Sequence, residues 1–127
     1  MPLYGHEIDE TTNPLEAGLE FGVKMTHDFV GRQALERIAA AGGTGRRLVG
    51  LTTTSRRCPR QGYAIRSDGR QVGQVCSGSI SPTLGTNIAT AYVETALAEP
   101  GTELEFLVRD SGEPCVVTPM PFYKRQR

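Results

Sequence analysis

The stretch that most constrains this chain runs from Gly73 to Val93: Gly-Gln-Val-Cys-Ser-Gly-Ser-Ile-Ser-Pro-Thr-Leu-Gly-Thr-Asn-Ile-Ala-Thr-Ala-Tyr-Val. Val72 and Val75 open one short strand, and Ile88, Ala89, Ala91, Tyr92 and Val93 form a second. Between them Gly78, Pro82 and Gly85 interrupt the backbone, because glycine permits positive φ and proline fixes φ. Ser77, Ser79, Ser81 and Asn87 can hydrogen-bond nearby main chain and hold a corner open. The stretch therefore predicts a β-corner that exposes an ordered polar loop.

The flanking segments agree. Arg47 to Thr53 is strand-like, and Gly62–Arg66 and Arg70–Cys76 flank Ser67-Asp68-Gly69, a hairpin signal. Glu103 to Arg109 alternates Leu104, Phe106 and Val108 against polar neighbours, Asp110-Ser111-Gly112 turns, and Cys115–Thr118 returns. Six or seven short strands imply a closed or nearly closed antiparallel β-barrel. Ahead of them lies a short α/β segment. Glu20–Met25 alternates like a strand, and a helix over about 29–41 has Asp28 as N-cap and Gly42-Gly43 as its stop. Phe29, Ala34, Leu35, Ile38 and Ala41 share one helix face, so it packs by one side. Gly42-Gly43-Thr44-Gly45 is the candidate linker, dividing 1–45 from a barrel over 46–127. A barrel of that size has a thin core and is expected to lean on a neighbouring domain.

Composition removes several function classes. Of 127 residues, 38% are hydrophobic and 22% charged, which is a folding composition. Fourteen basic and fourteen acidic side chains cancel, which argues against a nucleic-acid partner. Cys58, Cys76 and Cys115 are odd in number and widely spaced, so reduced thiols in a cytoplasmic compartment are expected. The chain has no run of membrane-spanning length and no signal-type opening.

Candidate chemistry is sparse. His6 and His27 lack a third ligand, so no metal site is expected. Ser79 or Ser81 with His6 could compose a triad, but no Gly-x-Ser-x-Gly elbow supports one. Gly42 to Gly45 ends a helix, whereas phosphate cradles open one. Arg46, Arg47, Arg56, Arg57 and Arg60 read as a solvated face that could also grip an anion or an acidic protein surface. Tyr4 beside Gly5 suits stacking plus one hydrogen bond, although spacing alone places it in the core.

Whole motifs carry a resemblance. Leu3-Tyr4-Gly5-His6-Glu7-Ile8-Asp9 onward to Leu19, Asp28-Phe29-Val30-Gly31-Arg32-Gln33-Ala34-Leu35, Arg46–Leu51 and Pro59-Arg60-Gln61-Gly62-Tyr63 resemble the aminomethyltransferase, or T-protein, family of the glycine cleavage system. Gly73–Val93 and Pro121-Phe122-Tyr123-Lys124-Arg125 continue the likeness in order. The resemblance implies an enzyme roughly three times longer, of three domains around a folate cavity. Residues 1–45 would end the second domain and 46–127 form the third. In such enzymes an aminomethyl group arrives on the lipoylated H-protein. Tetrahydrofolate takes its carbon as 5,10-methylenetetrahydrofolate, ammonia leaves, and dihydrolipoyl protein remains. The catalytic aspartate belongs to the N-terminal domain and a substrate-binding arginine lies upstream of Leu3. No catalytic residue is therefore expected within the chain, which alone should not turn over. Two folate-binding positions carry over: Tyr4, and Arg125 with Arg127 as its competitor. Gln61 stands where histidine is common, a change that reads as drift. Rival readings are a folate-dependent demethylase's C-terminal region, an iron–sulfur assembly factor, and a free-standing barrel that binds a protein or RNA.

Overall fold

The computed structural model describes residues 2–125. Six strands carry the fold: β1 (Arg46–Thr53), β2 (Ala64–Ser67), β3 (Arg70–Ser81), β4 (Thr86–Glu94), β5 (Glu103–Val108) and β6 (Ser111–Thr118). One helix, α1 (Arg32–Ala40), precedes them. All strand pairs are antiparallel, and the order β1-β4-β3-β2-β5-β6 closes through β6 pairing with β1. Mainly β with one early helix and a closed barrel is the architecture the sequence predicts.

The barrel is filled by alternate residues. Val49 and Leu51 of β1, Ala89, Ala91 and Val93 of β4, Leu104 and Phe106 of β5, and Cys115 and Val117 of β6 point inward. Phe106, Ile65 and Ala91 are wholly excluded from solvent. Strand β3 breaks the simple period. Its register shifts against β2 between Ile65 and Arg66, and against β4 between Val75 and Ser77. Each bulge inserts one residue, so Val72 and Val75 both face the core although three apart. The second bulge leaves Cys76 in a separate buried cluster with Leu48 and Tyr92 on the outer face.

The Gly73–Val93 stretch differs from its prediction. It contains most of one long hairpin of a 12-residue and a 9-residue strand, and only Pro82–Gly85 turns. Gly85 N–H donates to Ser81 O at 2.9 Å and Leu84 N–H to Ser81 Oγ at 3.3 Å. Ser77 to Ser81 are strand residues, because each pairs across to β4. Gly78 has no positive φ and is required for close approach: a Cβ there would lie 1.8 Å from Pro59 O. The loop that follows β1 presses its backbone onto the strand at that point.

Ahead of the barrel, two expectations are corrected. Glu20–Gly22 forms one 3₁₀ turn, with Val23 N–H donating to Glu20 O at 3.0 Å, and no strand. Alternation alone made no strand there because no neighbouring edge pairs with it. Helix α1 starts after Gly31, whose φ is +93°, and has no side-chain cap. Asp28 instead pairs with Arg32 at 3.1 Å. The stop is as expected, with Gly43 N–H donating to Ile38 O at 2.9 Å. No residue of α1 is buried, and Leu35 and Ile38 of its apolar face are only half-buried. No helix among them is long and apolar enough to cross a membrane.

Candidate functional site, the outer face of β1 and β4

The N-terminal segment is tied to the outside of the barrel. A tight turn brings His6 N–H and Glu7 N–H to Leu3 O at 3.1 and 3.0 Å, and Gly5, with φ of +88°, supplies the left-handed residue it needs. Glu7 is 3% exposed. Its carboxylate accepts from the Leu3 N–H at 2.9 Å and from the Thr90 hydroxyl of β4. Its backbone carbonyl accepts from Tyr92 Oη at 2.7 Å. Burial alone would push the Glu7 carboxyl up. Hydrogen bonds from Ser77, Thr90 and the Leu3 N–H outweigh it and hold the group below the usual carboxylate range.

A second buried carboxylate repeats the device. Glu16 accepts from the Thr44 hydroxyl, from Arg46 Nε and Nη2 at 3.0 Å each, and from the Asn13 N–H at 3.1 Å. Its carboxyl would be raised by burial, and these donors bring it below its ordinary range. The Arg46 guanidinium also lies 4.5 Å from the Tyr92 ring centroid, a cation–π contact that ties β1 to β4.

His6 Nδ1 sits 3.1 Å from Cys76 O. A carbonyl only accepts, so this nitrogen carries a proton. Ser77 Oγ lies 3.3 Å from the same nitrogen. The serine beside His6 is therefore Ser77, not Ser79 or Ser81, and a donor nitrogen does not activate a nucleophile. Between this segment and strands β3 and β4 lies a hollow of about 680 Å³, whose wall includes His6, Asp9, Arg46, Gln61, Gln74 and Glu94.

Tyr4 is 70% exposed and belongs to neither the core nor the wall of that hollow. The spacing-based placement of Tyr4 in the core is thus corrected: the turn at Gly5 carries its ring outward. Gln61 Nε2 donates to Gly5 O at 2.9 Å, so a residue that reads as drift supports the backbone next to Tyr4. No sequence signal pointed to that contact, which joins residues 56 positions apart. Arg125 is exposed, in the irregular segment that follows β6. Arg127 lies outside the described residues.

Tyr4 and Arg125 extend from two segments that share one face of the barrel. Outward-facing Gly50 of β1 pairs in register with Thr90 of β4. Thr90 holds Glu7, and a Cβ on Gly50 would lie 2.8 Å from both Met120 Cγ and Phe122 Cε1. The two chain ends are therefore rooted on facing residues of one strand pair.

Residues 46–124, which contain the whole barrel, match the model of the glycine cleavage T-protein C-terminal barrel domain. The chain belongs to this family. It is 50% identical over 126 residues to the aminomethyltransferase of Symbiobacterium thermophilum, which covers 98% of the chain and 33% of that relative. It is 49% identical over 132 residues to that of Streptomyces coelicolor, covering 100% of the chain and 36% of the relative. The crystal structure of glycine cleavage system aminomethyltransferase T from Bartonella henselae superposes with a TM-score of 0.88 at 28% identity, covering 97% of this chain and 35% of that one. The T-protein barrel is thus present throughout, and the chain spans about a third of the length of the curated relatives it matches.

Proposed function

We propose that this chain is the C-terminal part of a tetrahydrofolate-dependent aminomethyltransferase acting in the cytoplasm. The intact enzyme takes the aminomethyl group of lipoylated H-protein, gives its carbon to tetrahydrofolate, and releases ammonia and dihydrolipoyl protein. The observation that carries this reading is the match of 46–124 to the T-protein barrel, within a chain that aligns over nearly its full length with a third of each aminomethyltransferase. Residues 46–127 form the barrel domain, and 1–45 end the folate-binding domain that precedes it. That division accords with α1, which buries none of its residues in this chain.

Within this reading Tyr4 and Arg125 contact the folate. The exposed Tyr4 ring offers a stacking face, and Arg125 a cation for the anionic end of the cofactor. The catalytic aspartate and the substrate arginine belong to the preceding domains, so the chain alone is inactive. The direct test incubates the 127-residue chain with aminomethylated H-protein and tetrahydrofolate. No 5,10-methylenetetrahydrofolate above the uncatalysed rate is expected, and formation well above it would overturn the assignment of catalysis to the other domains. In the enzyme completed with those domains, Tyr4→Ala is expected to weaken tetrahydrofolate binding with the barrel still folded. Unchanged affinity would remove Tyr4 from the folate site.

A further inference from the structure

We infer that Gly50 and Phe122 are positioning residues: the glycine is a seat for the Phe122 ring, and the seated ring aims the tail that carries Arg125 across the same barrel face as Tyr4. The inference rests on the proposed folate contacts of those two residues, and goes beyond them in naming what holds the tail.

The first support is the direction of Gly50. In β1, Val49 and Leu51 fill the barrel, so position 50 faces out by the alternation of a strand. Gly50 is nonetheless buried. Its cover is the tail: a Cβ there would meet Met120 Cγ and Phe122 Cε1 at 2.8 Å and Phe122 Cζ at 2.9 Å. Carbon atoms in ordinary contact stand at about 3.5–4.0 Å, so a methyl group would lift the ring by roughly 1 Å. The backbone at Gly50 is not in the left-handed region, so its conformation does not call for glycine. Close approach does.

The second support is where the tail comes from. Strand β6 ends at Thr118, which pairs with Gly50 itself, and four residues later Phe122 returns onto that glycine. The reversal is short, and Phe122 is half-buried while Met120, Tyr123, Lys124 and Arg125 are exposed. The Phe122 ring is thus the most covered side chain of residues 119–125. Three residues beyond it comes Arg125.

The third support is the neighbour. Across β1 and β4, Gly50 faces Thr90, and residues so paired stand roughly 5 Å apart. Thr90 donates to the buried Glu7 carboxylate, three residues past Tyr4. One register pair therefore anchors both ends, and it fixes the spacing between the segments bearing Tyr4 and Arg125. A contact this far from the reacting atoms matters because binding groups displaced by about 1 Å lose much of their effect.

Two measurements test the inference. In the 127-residue chain, nuclear Overhauser contacts are expected between the Gly50 α-protons and the Phe122 ring; their absence would overturn it. In the chain joined to the preceding two-thirds of the Symbiobacterium thermophilum relative, Phe122→Ala and Gly50→Ala are each expected to raise KM for tetrahydrofolate roughly tenfold, with kcat at saturating folate nearly unchanged. The double variant is expected to be no worse than either single, because both remove one contact. Should Gly50→Ala fail to fold, Phe122→Ala decides alone, since it removes the ring without filling the strand. If Arg125→Ala raises KM and Phe122→Ala does not, the seat has no positioning role and the inference falls while the folate reading stands. If neither raises it, Arg125 is no folate contact and both fall.

Discussion

Glu7 and Glu16 are the residues on which the N-terminal segment hangs, and both are buried carboxylates held ionised by donors from the barrel side. Their folded-state pKa values lie below the ordinary glutamate value of about 4.3. Their contribution to stability is therefore fully present above that pH and is lost as pH falls through the depressed values. Urea midpoints are expected to hold from pH 7 to 5 and to drop below about 4.3, with Glu7→Gln and Glu16→Gln each flattening the drop. A midpoint that fell equally in wild type and variants would assign acid sensitivity elsewhere. The thiols give a second residue-scale expectation. Burial pushes Cys76 up to about 11 and Cys115 to about 12, whereas Cys58 is only half-buried. A disulfide-exchange reagent at pH 8 is expected to label one thiol per native chain, at Cys58, and three after unfolding. Rapid labelling of Cys115 in the native state would contradict the closed barrel, and rapid labelling of Cys76 would contradict the packing of the N-terminal segment over its outer face. What was legible at this scale was the identity of the motif residues. The environment of Glu7 was not, because its partner Thr90 lies 83 residues away.

The strands were legible as elements, and their geometry less so. Asp68-Gly69 announces the β2–β3 hairpin, and both residues have positive φ, 51° and 79°, as such a two-residue turn demands. The alternation of Leu104, Phe106 and Val108 fixed β5. The reach of β3 was missed because its serines and glycines read as loop-formers, whereas pairing with β4 makes them strand. Gly78 shows why composition misleads there, since its role is set by the loop carbonyl pressed on it. Gly78→Ala is expected to destabilise the barrel by about 1–3 kcal/mol, the usual cost of forced overpacking, read as a lower thermal midpoint. An unchanged midpoint would mean that the 54–61 loop moves away freely. Helix α1 was read as packing by one side, yet no residue of it is buried. A nine-residue helix with no fully buried residue is marginal in water. Its amides are expected to exchange within the fastest class in the isolated chain, and to gain protection when the preceding domains are attached. Equal exchange in the two would leave its apolar face without a function.

At the scale of the whole molecule, closure removes every sheet edge and leaves one thin core, with Phe106 and Ile65 wholly buried at its centre. That barrel explains why 46–124 stands as a recognisable domain, and why its two terminal extensions lie on one face. The barrel class followed from the strand pattern alone. The shared face did not, because it depends on which strands meet when the barrel closes, and β1 pairs with β4 and β6 rather than with its neighbour in sequence. In the proposed reading this barrel completes an aminomethyltransferase whose chemistry resides in the preceding two-thirds. The most direct measurement joins the chain to that part of the Symbiobacterium thermophilum enzyme and follows 5,10-methylenetetrahydrofolate formed from aminomethylated H-protein. Turnover is expected from the joined protein and from neither part alone. A joined protein that is folded, binds tetrahydrofolate and still forms no methylene-folate would contradict it.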